Sequence, residues 1–175
     1  MKKLKFTLFI ALILITFSSF MILEWYVYEA SNFKISFPQK SIEETKKMNT
    51  NAGEIEVLTL VLTAKSSSEK NLKYYFSATK LPSDNLSAQE QKTFLDAAAK
   101  GSLRNHNATL ISEKSIKLDK YSGKEIKMSI KDGEILATMK SYIVRDNIYG
   151  LIVYTFKRND MNDEIDNFFD SFVIK

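Results

Sequence analysis

The sequence predicts an α+β fold: an antiparallel sheet of about six or seven strands with a C-terminal meander, flanked by helices and preceded by an apolar N-terminal helix. Three observations predict it. Between Thr109 and Phe156 four strand-like runs follow one another, and their short connectors force neighbouring strands to be antiparallel. A capping-box sequence at Ser87 opens an Ala-rich stretch of high helix propensity. The chain closes on IDNFFDSFVIK, where Ile165, Phe168, Phe169 and Phe172 stand at i, i+3, i+4 and i+7, one face of a helix.

In chain order, the first element is the apolar helix. Lys2, Lys3 and Lys5 precede Phe6–Leu23, eighteen residues without a charge, long enough at about 27 Å to span a hydrocarbon core. Residues 1–24 read either as a signal peptide or as a single transmembrane anchor. Thr16 and Ser18 could serve at a cleavage site, but no A-x-A pattern appears. An anchor would place Trp25 and Tyr26 at the far interface, and this reading is slightly favoured. Either way the lysines stay in the cytoplasm and residues 25–175 form an exported α+β domain. The expected place is the cell membrane with the body outside the cytoplasm, or the periplasm or medium if the segment is cut.

The body opens with FKISFP, in which Phe33, Ile35 and Phe37 share one side and Pro38 ends the ladder. The polar stretch Gln39–Asn51 reads as a loop or irregular connector, with part of it a possible covering helix. Val57–Leu62 is apolar on both faces apart from Thr59, the pattern of a central strand. After a turn at Ser66–Asn71, Leu72, Tyr74, Phe76 and Ala78 alternate inward. The helix from Ser87 is expected to fade between Gly101 and Asn105. In the meander, Lys131-Asp132-Gly133-Glu134 predicts a two-residue type I′ turn and Asp146-Asn147 a second turn. Ile148–Phe156, apolar on both faces, reads as another central strand. The last helix is expected to start near Asn159 or Asp160, with acids in its first turns where the helix dipole favours them. Its phenylalanine stripe is needed as cover for the sheet.

Composition excludes several functions. There is no Cys, so disulfides, thiolate catalysis, Cys-based metal sites and a lipoprotein anchor are ruled out. The pI near 9.0 invites a nucleic-acid reading. Three of the 25 basic residues precede Glu24, however, leaving 22 against 21 acidic ones, and the lysines are scattered among acids. That is not the clustered basic face that phosphate binding needs.

The sequence nominates no catalytic, cofactor-binding or metal site. His106, the one histidine, would have to serve as general base or metal ligand, yet imidazole metal sites usually need more than one, and it reads as an exposed residue at a helix exit. Asp160, Asn162, Glu164 and Asp166 resemble a partial Ca²⁺ loop without its glycine and distal glutamate, and read as a helix start. Glu43-Glu44 sits among lysines and reads as solvated. Of Tyr74, Tyr75 and Phe76, two belong to the core by alternation.

Taken together, FKISFP, a helix after the third strand, SGKEIKMSIKDGE feeding a meander, and NIYGLIVYTF before the closing FFDSF helix resemble the family of the photosystem II extrinsic protein PsbP and its bacterial relatives, including DcrB. The resemblance covers about residues 25–175. It implies an antiparallel sheet between helices and a non-enzymatic accessory or binding role, often at membranes. The expected partners are the membrane, through residues 6–23 if uncleaved, and an unidentified envelope protein, with no nucleic acid and no cofactor. A small exported hydrolase or ligand-binding enzyme is the alternative.

Overall fold

The computed structural model describes residues 24–50, 53–66, 68–81, 83 and 85–175. The expected apolar helix and its cleavage or anchoring lie outside these residues. Among the described residues no helix is long and apolar enough to cross a membrane.

Among the described residues ten strands and two α-helices follow in order: β1 (Tyr26–Glu29), β2 (Phe33–Phe37), β3 (Ile42–Thr50), β4 (Gly53–Thr63), β5 (Asn71–Lys80), α1 (Ala88–Asn105), β6 (Thr109–Leu118), β7 (Tyr121–Ile130), β8 (Ile135–Val144), β9 (Asn147–Phe156), α2 (Asp163–Asp170) and β10 (Val173–Ile174). Seven strands form one antiparallel sheet in the order β3-β4-β5-β9-β8-β7-β6. The meander runs inward from the β6 edge, so its last strand, β9, closes against β5 at the centre. A second sheet, β1-β2-β10, lies over one face.

That face holds the larger core. Phe33, Ile35 and Phe37 of β2 meet Leu60, Leu62, Tyr74, Phe76, Leu151 and Val153 of the large sheet. The α2 stripe completes it: Ile165, Phe168, Phe169 and Phe172 are all buried, as the 3.6-residue spacing predicts. Phe172 lies just beyond α2, its ring within 6.2 Å of Phe33, Phe76, Tyr142 and Tyr149. Asn162 caps α2, accepting the Glu164 amide at 3.1 Å. Its side chain also exchanges hydrogen bonds with buried Asn71 at the start of β5, while Tyr74 donates to Glu164 at 2.8 Å. Burial pushes the Tyr74 phenol well above its ordinary pKa. The network locks the helix start onto the sheet, since each polar group buried there has a partner.

The opposite face is covered by α1, which packs on β7 and β8. Ser87 and Glu90 form the expected capping box. Ala99, Ile126, Met128, Ala137, Met139 and Ile152 fill this smaller core. Lys124, nearly buried, pairs with Asp96 of α1 and Glu113 of β6 and ties the helix to the sheet.

Several local expectations are corrected. Gln39–Asn51 is not a loop or a covering helix: it contains β3, an edge strand whose Glu and Lys side chains face water on both sides. With neither face in the core, no hydrophobic alternation marks it, and such charges are a common way to guard an edge. FKISF pairs within the small sheet rather than the large one, between two short strands that the sequence does not announce. β4 is one strand in from the edge. Leu60 and Leu62 are buried, but Val57 and Val61 on its other face are only half covered, because α1 does not reach that far. The β7–β8 turn has four residues between paired Ile130 and Ile135 rather than two, with Lys131, Asp132 and Gly133 at φ of 51°, 53° and 95°. The β8–β9 turn is Arg145-Asp146, one residue earlier than expected. α2 starts at Asp163, because a 3₁₀ turn over Lys157–Asn159 precedes it.

Candidate functional site

Among the described residues a hollow opens on the α1 face, where the end of the helix stops short of β5. Two adjoining depressions of about 570 and 390 Å³ share Lys73, His106 and Tyr154. The larger is walled mainly by half-buried apolar side chains, Leu72, Ile130, Ile135 and Phe156. A β-bulge makes this wall. The β5–β9 register shifts between Asn71 and Lys73, so Leu72 turns to the α1 face beside Lys73 instead of joining the alternation expected of it.

His106 is the C-cap of α1. Its Nδ1 lies 2.9 Å from the Ser102 carbonyl, an acceptor only, so this nitrogen carries the proton and donates. In the neutral imidazole Nε2 then accepts from the Tyr154 hydroxyl at 2.7 Å. Burial raises the Tyr154 phenol to about 12. Both ring nitrogens are therefore engaged. Beside it Lys73 extends over two rings, its Nζ 5.7 Å from the centre of Tyr75 and 5.8 Å from that of Tyr154. Among the described residues no carboxylate lies within 4 Å of that ammonium. The arrangement suits binding: an apolar wall, a half-buried cation and a fixed hydroxyl–imidazole pair.

No protein-family model matches the chain. No curated protein matches it either. Among solved structures, that of cyanobacterial PsbP (CyanoP) from Synechocystis sp. PCC 6803 matches with a TM-score of 0.55, covering 90% of this chain and 96% of that chain at 12% identity. The fold is PsbP-like. A looser likeness, TM-score 0.37 at 12% identity over 78% of this chain and 85% of the other, is to PA94 of Pseudomonas aeruginosa, a protein of unknown function described as a putative regulator, and it carries no argument.

On this PsbP-like scaffold only some of the residues weighed in the sequence come together: Tyr74 meets Glu164, and Tyr75 shares the smaller depression with His106. His106 is at the helix exit as expected, but it is half-buried against Tyr154 rather than exposed. Glu43 and Glu44, adjacent on a strand, point to opposite faces: Tyr28 donates to Glu43 at 3.0 Å, and Glu44 pairs with Lys46. Asp160 pairs with Lys127, Asn162 caps α2, and Glu164 accepts from Tyr74, so the acidic run is a helix start. Tyr74 and Phe76 are core, and Tyr75 lines the smaller depression. Sequence reasoning missed Lys73 and Tyr154. Their period-two placement puts both on the α1 face, but nothing in the sequence says that the helix stops short of them.

Proposed function

We propose that the chain is an exported accessory or binding protein of the bacterial cell envelope that acts through protein contacts rather than catalysis. Residues 6–23 hold it to the membrane, or release it if they are cut. The observation that carries the reading is the PsbP-like fold extending over 90% of the chain, a fold whose family resemblance already implied such a role. The basic-then-apolar start of the sequence supports export. Cell fractionation tests it. The protein should sediment with membranes and come off with detergent but not with salt, and cross-linking before extraction should recover an envelope protein. A body found in the cytoplasmic supernatant contradicts it. The alternative of a ligand-binding body draws on one observation, the hollow at the end of α1.

A further inference from the structure

We propose that this hollow is a binding site for an amphipathic anion, a molecule with an aliphatic body and a carboxylate or phosphate head. Leu72, Ile130, Ile135 and Phe156 make a wall that is apolar yet only half-buried, so a hydrocarbon laid against it removes area from water on both sides. The volume of about 570 Å³ is in the range of small-ligand sites. The head is placed by Lys73, a half-buried residue whose ammonium stands 5.7 Å from the centre of the Tyr75 ring and 5.8 Å from that of Tyr154. Ring faces offer an ammonium only a weak partner, so an anion brought beside it adds a charge-assisted contact that the protein does not supply. Lys65 stands on the same rim, likewise without a carboxylate within 4 Å of its ammonium among the described residues. The nearby Glu69 carboxylate accepts the Lys65 amide at 2.8 Å. Positive charge thus meets an apolar wall, which selects against cationic amphiphiles and favours anionic ones over neutral ones.

Two sources offer this chemistry: a free amphiphile such as a fatty acid, and an anionic lipid of the membrane itself. Trp25 packs edge-on against Tyr74, centroids 6.4 Å apart, so the chain enters the fold at the end of β5 that lines the hollow, on the opposite face of the sheet. A tether leaving there would bring that end of the sheet, and the mouth beside it, toward the bilayer. That placement rests on the tethered reading above; binding as such does not.

His106 is the one histidine of the chain and lines both depressions, so ¹⁵N-histidine labelling gives a single site-specific reporter. The full chain is placed in phosphatidylcholine nanodiscs and titrated with octanoate, octanol and octyltrimethylammonium. Octanoate should give a saturable shift of the imidazole signals, octanol a weaker one and the ammonium none. Lys73→Gln should weaken octanoate binding about tenfold, and Lys73→Arg should keep it. Repeating the spectrum in nanodiscs containing phosphatidylglycerol, without octanoate, separates the sources: a shift there assigns the head to a membrane lipid, and a shift only with octanoate assigns it to a free amphiphile. No saturable shift under either condition overturns the proposal, as does equal binding of all three amphiphiles or of the Lys73→Gln protein. The wild-type comparison of the three amphiphiles decides the matter even if a Lys73 variant fails to fold, and octanoate binding by a chain that fractionates as cytoplasmic would sink the tether while leaving the site.

Discussion

Gly123 has no room for a side chain. A Cβ there would stand 2.4 Å from Cδ1 of Tyr142 and 2.7 Å from the Ser141 carbonyl oxygen, the second of which is backbone and cannot move aside alone. Gly123→Ala is therefore expected to destabilise the fold by about 1–3 kcal/mol, read as a lower urea midpoint with an unchanged slope. Tyrosines supply a second prediction at this scale. Burial raises the phenols of Tyr142, Tyr149 and Tyr154 to about 12. A folded pKa above the unfolded value of about 10 means stability that is whole below pH 10 and lost as the pH climbs through 12. Tyrosinate absorbance should thus appear late and together with loss of tertiary structure; these phenols titrating near 10 in a still-folded protein would contradict their burial.

The helices were legible in the sequence to different depths. The burial of the α2 stripe could be read, because a helix this short buries one face and the 3.6-residue spacing marks it, but the helix ends at Asp170 and Phe172 is buried from beyond it. Phe168 is fully buried against Phe37 and Tyr74, with ring centroids 5.3 Å away in each case, so Phe168→Ala should cost about 3–5 kcal/mol in urea unfolding. The cap of α1 was equally plain, but its partners were not. Lys124 sits in β7, 28 residues from Asp96, and only the folded sheet brings the two together. Hydrogen bonds from Lys124 and then Lys92 lower the Asp96 carboxyl to about 2, from an ordinary 3.8. Stability from a depressed carboxyl is present above 3.8 and fades as the pH falls toward 2. Asp96→Asn should therefore lower the thermal midpoint at neutral pH, with the gap to wild type closing between those two values. A gap that persists unchanged at pH 2 would mean that the ion pair does not hold α1. β3 was not legible at all, because an edge strand bathed on both faces carries no period to read.

At the scale of the whole molecule, the meander and the sheet-between-layers architecture followed from short connectors and two-sided strands. What stayed hidden was how the cover is shared out. The sequence offers two helices for two faces, and the structure gives one face a helix plus a small sheet, the other a single helix that covers β7 and β8 and stops short of β5. The hollow is the remainder of that division, which is why no local motif announces it. The reading of the molecule as an exported accessory body rests on topology, and the chain is well suited to a direct test of that, because it contains no cysteine. Ile42, three-quarters exposed on the β3 edge, can be replaced to give Ile42→Cys, a single thiol on the body. Treated with a membrane-impermeant maleimide, intact cells whose outer envelope admits the reagent should label this cysteine fully. Labelling that appears only after the cytoplasmic membrane is broken would put the body on the wrong side and contradict the account.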